Sequence, residues 1–170
     1  MSVFTTERLV VRAWSDDDVD AAYPIYSQRE MVRYLGNPVP HDSPETTRAW
    51  IERVNKRGDD LGAGLGFWAA TLADDGTLVG AALCAPFPND DSRIEIGWHV
   101  GPAYQGFGYA TEFARGIVEH ATAIGLPIVY AVVNTENTPS LNVARKIGMT
   151  HLGQTDRYYD RTLEFFELPL

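Results

Sequence analysis

Apolar and polar positions recur along this chain with two different periods, and the switches between them mark out strands and helices. Residues 9–13, Leu-Val-Val-Arg-Ala, are rich in β-forming types and predict a first strand. Ser15 follows as a helix N-cap, with Asp16, Asp17 and Asp18 placing negative charge in the first turn. Val19, Ala22, Tyr23 and Tyr26 carry the apolar face of that helix past Pro24. Residues 31–35 predict a short second helix. Asn37-Pro38-Val39-Pro40 then predicts an extended loop, because a proline pushes the residue before it out of helical backbone. Ser43-Pro44-Glu45 starts another helix, with Pro44 at its first position and Trp50, Ile51 and Val54 on its buried face before Gly58.

The period then shortens. Residues 67–72 and 77–83 read as strands around Asp74-Asp75-Gly76, a hairpin signal. Residues 85–92, rich in Pro, Asn and Asp, read as a loop. Residues 93–100 alternate as a strand, and Gly97 inside it predicts a bulge or a close backbone approach. A glycine-containing turn leads to a helix over about 110–124, with Phe113, Ile117 and Ile124 on its apolar face. The continuous apolar run 128–133 predicts a buried strand. Residues 140–147 form a short helix stopped by Gly148, and 149–154 with 163–168 close the chain as a pair of strands. The fold class is mixed α/β (α+β), with hairpins and one strand-helix-strand crossover.

Composition narrows the function classes. The 170 residues suit one domain spanning 1–170, and 45% hydrophobic with 22% charged residues is globular composition. Fourteen Lys and Arg against 23 Asp and Glu give a net charge of −9, so the basic footprint of a general nucleic-acid binder is missing. An acidic surface draws cationic partners instead. The single cysteine, Cys84, excludes an intramolecular disulfide framework, and its apolar surroundings give it a packing role. His41, His99, His120 and His151 lack metal-ligand spacing, so no metal is expected. Residues 1–8 carry no signal-peptide core, and no run nears about 18 apolar residues, the length of a membrane span. A cytoplasmic protein without membrane or nucleic-acid partners is the expectation, with a homodimer left open.

The chemistry concentrates in residues 96–111, a strand, a turn and a long helix. Gly106 and Gly108 can expose backbone N–H groups at the positive end of the helix dipole, an arrangement that binds phosphate or pyrophosphate oxygens. A Rossmann fingerprint requires Gly or Ala where Thr111 stands, and would follow the first strand rather than a late one. No Walker A run exists. Gly62-Ala63-Gly64-Leu65-Gly66 follows acidic residues rather than a strand and reads as a flexible loop.

Gln105-x-x-Gly108-x-Ala110 on a strand-turn-helix resembles the Q/R-x-x-G-x-G/A acetyl-CoA motif of the GNAT N-acetyltransferases. The similarity extends over nearly the whole chain. Thr6-Glu7-Arg8-Leu9-x-x-Arg12, Glu95-Ile96-Gly97-Trp98 and Asn137-x-x-Ser140 followed by Ala144-Arg145-Lys146-Ile147-Gly148-Met149 resemble the RimJ/RimL-type branch, the ribosomal-protein N-terminal acetyltransferases. This resemblance implies a mixed, mostly antiparallel sheet flanked by helices and splayed open between the Glu95 strand and the strand at 128. It implies acetyl-CoA as cosubstrate. The turn amides of Gln105, Gly106, Phe107, Gly108, Tyr109 and Ala110 would hold the pyrophosphate, and main-chain groups near His99 and Val100 the pantetheine arm. Asn137 would contact pantetheine, and Lys146 and Arg145 would either meet the CoA phosphates or be ordinary surface charges.

Acetyl transfer from a thioester needs a neutral amine, a polarised carbonyl and a proton for the leaving thiolate. A main-chain N–H within 98–100 could stabilise the developing oxyanion. Glu95 could deprotonate the ammonium, directly or through water, or be an ordinary solvated or salt-bridged strand residue; His99, on the same strand face, is a second candidate base or, as lone strand histidines more often are, a structural residue. Many GNAT members carry a tyrosine acid seven residues after the asparagine, where this chain has Ala144. The branch points instead to Ser140, which could also cap its helix, and release of the proton to solvent is the other route. Tyr158-Tyr159 either borders the acceptor site or packs on the sheet. With no acyl-accepting nucleophile in view, direct attack in a ternary complex is expected. The acceptor is a protein N-terminal α-amine or a small-molecule amine. A non-catalytic acyl-CoA-binding module is the alternative.

Overall fold

Short apolar runs linked by tight turns can bury themselves only by pairing into a sheet, and helices with one apolar stripe must then cover its faces. The computed structural model describes residues 2–62 and 64–170. Ser2–Thr5 (β1), Leu9–Arg12 (β2), Gly66–Leu72 (β3), Leu78–Phe87 (β4), Asp90–Val100 (β5), Ile128–Asn134 (β6), Thr150–Thr155 (β7) and Leu163–Pro169 (β8) form one sheet, in the order β1-β2-β3-β4-β5-β6-β8-β7. Its neighbours pair antiparallel except β5 with β6, which are parallel.

Helices α1 (Val19–Tyr26), α2 (Arg29–Val32) and α3 (Pro44–Leu61) lie on one face, where Trp14, Val19 and Ile51 pack over Ala69 and Ala81. Helices α4 (Tyr109–Ala123) and α5 (Thr138–Lys146) cover the other, burying Phe113, Ile117 and Leu141 against Val11, Ile96 and Val129. Ser43 caps α3 as expected, its hydroxyl accepting the Thr46 N–H at 3.2 Å. The expected hairpin joins β3 to β4, with Gly76 at φ 76°.

β5 and β6 meet at one register pair, Glu95 opposite Tyr130. Beyond it the strands part, which is the splay implied by the family resemblance. Gly101 donates its N–H to Val79 on the β4 side. Strand alternation therefore turns the N–H groups of Val100 and Trp98 the other way, into the opening.

Several expectations need correction. The run at 9–13 is the second strand; β1 precedes it as a short edge strand, too short and half-exposed for its pattern to be read. The stretch 85–92 is not a loop. β4 and β5 continue through it, with Pro86 opposite Ile94 and Phe87 opposite Asp90. A tight turn suffices because Asn89 takes left-handed backbone (φ 62°), which asparagine tolerates better than most residues. Gly97 makes no bulge: the β4–β5 register is unbroken from Gly80–Val100 to Pro86–Ile94, and the irregularity falls at Pro86–Phe87, where proline lacks a ladder donor. Asn137, not Ser140, caps α5, its side chain accepting the Ser140 N–H at 3.3 Å. Within the glycine-rich stretch read as a flexible loop, Gly62 caps α3 and Gly66 opens β3; Ala63, like Met1, lies outside the described residues.

Candidate active site

The opening between β5 and β6 continues into a cleft of about 720 Å³, walled on one side by α2, α3 and the segment between them and on the other by the start of α5. Glu95, His99, Val100, Gln105, Ala110, Asn137 and Ser140 all line it. The sheet edge, the turn and α5 thus bring together residues that lie up to 45 positions apart in sequence.

At one end stands the turn before α4. Gly106 (φ 87°) and Gly108 (φ 85°) adopt left-handed backbone, which lets the chain reverse without a Cβ in the way, and Gly108 is the N-cap of α4. The first-turn N–H groups of a helix have no intrahelical acceptor, so this turn presents Tyr109, Ala110 and Thr111 amides together with the positive end of the dipole. Gly106, Phe107 and Gly108 are exposed beside the cleft mouth, and the Gln105 side chain donates to the Val100 carbonyl at 3.2 Å. Such a turn fits the phosphates of a CoA-type cosubstrate.

The turn is braced by the N-terminal motif. Glu112 accepts the Thr6 hydroxyl at 2.5 Å, the Arg8 N–H at 2.8 Å and Arg8 Nε at 2.7 Å. Arg8 Nη1 reaches on to the Phe107 carbonyl at 3.1 Å, and its guanidinium lies 4.7 Å from the Tyr109 ring centre. Downstream, Arg12 forks onto Asp18 at 2.8 and 2.7 Å, tying β2 to the start of α1.

At the deep end lies Glu95, 7% exposed. Burial pushes its carboxyl up to about 7, against the opposing pull of a hydrogen bond from Tyr159 and the positive charge of Arg57. The Tyr159 hydroxyl donates to Glu95 Oε2 at 2.5 Å, and burial, joined by the same carboxylate, pushes the phenol's own pKa up. His99 shares the Glu95 face of β5 and packs between Tyr26 and Phe67, with Nδ1 buried and without a partner among the described residues. Burial pushes it down to about 4, so it is neutral at pH 7 and a weak base. Ser140 stands half-buried in the first turn of α5, and its hydroxyl is free of the capping role, which Asn137 fills.

Lys146 and Arg145 are not brought to the cleft wall; both are exposed in the last turn of α5, the end opposite Asn137. Ala144, where a tyrosine acid would stand, is fully buried in the core. Cys84 is buried and its thiol pushed up to about 12, which suits packing and not nucleophilic attack. Among the described residues no cluster of three or more His, Cys, Asp or Glu could hold a metal, and no helix is long and apolar enough to cross a membrane. Of the two tyrosines weighed as a border of the acceptor site, Tyr159 lines the cleft; sequence reasoning missed its hydrogen bond to Glu95, the charge of Arg57 and the Glu112 brace. Glu112 stands two residues beyond the Ala110 that ends the acetyl-CoA motif, whereas nothing local distinguishes Tyr159 from Tyr158.

Residues 8–150 match the family described as Acetyltransferase (GNAT) domain. An uncharacterized N-acetyltransferase of Bacillus subtilis, YnaD, is 30% identical over 150 residues, 88% of this chain and 83% of its own length. Among solved structures, a GNAT-family acetyltransferase from Bacillus anthracis superposes with a TM-score of 0.80 at 23% identity, covering 98% of this chain and 97% of its own. RimL, the ribosomal L7/L12 alpha-N-protein acetyltransferase solved in complex with coenzyme A, superposes with a TM-score of 0.83 at 15% identity, covering 100% and 98%.

Proposed function

This chain belongs to the GNAT acetyltransferases, and from that premise we propose that it moves the acetyl group of acetyl-CoA directly onto a primary amine in a ternary complex, with Glu95 as the base. N-acetyltransferase activity and the use of acetyl-CoA come with the family; the acceptor and the residue roles are the proposal. The observation that carries it is the placing of Glu95: a buried carboxyl at the point where β5 and β6 part, in a cleft shared with the α4 turn and Ser140.

The amides of the turn 105–110 hold the cosubstrate's pyrophosphate, and the unpaired edge of β5 near His99 and Val100, with Asn137, holds its pantetheine arm. The Trp98 or Val100 N–H, turned into the opening, donates to the thioester oxygen as negative charge develops there. Glu95 takes a proton from the acceptor ammonium. The amine nitrogen then bonds to the carbonyl carbon as the carbon–sulfur bond breaks, the nitrogen gives its second proton to solvent, and the thiolate takes a proton from solvent, directly or through the Ser140 hydroxyl. The branch motifs at 6–12 and 137–149 favour a protein N-terminal α-amine over a small-molecule amine.

Calorimetric titration with acetyl-CoA, followed by free-thiol release against a panel of amines and N-terminal peptides, tests the reading. Glu95→Gln should lower kcat by about 10²–10⁴-fold on the active acceptor while acetyl-CoA affinity stays within about twofold. Full activity in that variant would remove the base from the mechanism. Binding without turnover on any amine would leave a CoA-binding module.

A further inference from the structure

Tyr159 is more constrained than a packing residue needs to be. Tyr159 (φ 60°) and Asp160 (φ 52°) are consecutive non-glycine residues in left-handed backbone, a conformation held only where the surroundings enforce it. Two contacts enforce it here. Tyr158 stacks on Phe87 at 3.9 Å and donates to Asp90 Oδ2 at 2.9 Å, which pins the loop between β7 and β8 to the tip of the β4–β5 hairpin. The next residue is thereby turned the opposite way, into the cleft. There its ring lies against Gly36, where a Cβ would stand 2.5 Å from Tyr159 Cε1 and 2.6 Å from Cδ1. Three separate parts of the chain therefore converge to set one hydroxyl on one oxygen of Glu95.

We infer that Tyr159 is a positioning residue for Glu95: its hydroxyl occupies Oε2 and leaves Oε1 for the acceptor ammonium. This rests on the reading of Glu95 as the base. Arg57 of α3, Arg161 of the Tyr159 loop, Arg33 and Tyr34 after α2, and Glu136 before α5 line the same cleft. Of these Arg57 acts on Glu95 in the same direction as Tyr159, and among the described residues Tyr159 alone is hydrogen-bonded to it. Without the hydroxyl, burial is less opposed and the carboxyl keeps its proton to higher pH.

Tyr159→Phe keeps the ring over Gly36 and removes the donor. The acid limb of kcat/KM should move up by about one pH unit, a roughly tenfold loss at pH 6 that recovers to within about twofold at pH 9.5. Carbon-detected NMR of the Glu95 carboxyl, read without substrate, should show its titration moving by the same amount. Gly36→Ala, which displaces the ring, should shift that titration in the parent and add nothing in Tyr159→Phe. A Tyr159→Phe protein with the parent's unfolding midpoint and an unmoved Glu95 titration overturns the inference. If instead Glu95→Gln stays fully active, the base assignment fails, and the NMR titration still decides whether Tyr159 controls this carboxyl.

Discussion

Glu95 sits in the core at 7% exposure with its carboxyl pushed up to about 7 from an ordinary 4.5, which means that the folded protein resists charging it. The consequence for stability has a definite sign. A carboxyl whose folded pKa lies above its unfolded one contributes stability in full below about 4.5, and that contribution is lost as pH rises through about 7. Glu95→Gln removes the titration and leaves an amide whose oxygen can still accept from Tyr159. Denaturant midpoints should therefore show the variant close to the parent at pH 4.5 and more stable at pH 8, by on the order of 2 kcal/mol. A variant less stable than the parent at pH 8 would mean that the charged side chain serves the fold. Gain of stability with loss of turnover is the expected signature of a group kept for chemistry. The candidate base itself was legible from its place on β5. Its ionisation was not, because that depends on burial and on a tyrosine 64 positions away.

At the scale of elements, the cosubstrate turn works only if the start of α4 is held still relative to β5. Glu112 does this by gathering Thr6, the Arg8 amide and the Arg8 guanidinium, while Arg8 reaches over to Phe107. The motif at 6–12 is thus a strut between the β1–β2 connection and the α4 turn, with Arg12 and Asp18 making a second strut to α1. Glu112→Ala frees the turn without touching Glu95. Its KM for acetyl-CoA should rise about 10-fold, the worth of one charge-assisted hydrogen bond, with kcat at saturation held within about twofold. Steady-state kinetics check this, and an equal fall in kcat would place the strut's effect in the chemical step. Helix starts and the β3–β4 hairpin were readable because serine, proline, asparagine and glycine act on their immediate neighbours. The long β4–β5 hairpin was not, since its Pro86 and Asn89 look like loop residues until the partner strand is in place.

For the whole molecule, a net charge of −9 acts oppositely on the two substrates. An anionic cosubstrate is repelled at long range and must be held by the local amides and dipole of the α4 turn, whereas a cationic acceptor is drawn in. Between about 50 and 300 mM salt, kcat/KM for a cationic acceptor peptide should fall, and that for acetyl-CoA should hold or rise. A salt-independent acceptor rate would remove steering from the account. By itself the sequence determined the class of fold, a candidate turn for the cosubstrate, and Glu95 and Ser140 as residues to consider. The fold class follows from periodicity and the anion-binding turn from glycine's freedom at positive φ, both of which depend on neighbours along the chain, whereas the cosubstrate and Ser140 came with the family resemblance. Tertiary structure decided the rest. It chose Asn137 over Ser140 as the α5 cap, kept the β5 register unbroken at Gly97, left Lys146 away from the cleft and set Tyr159 on Glu95. Side-chain placement, desolvation and unpaired backbone groups arise only when distant segments pack, so no local pattern could encode them.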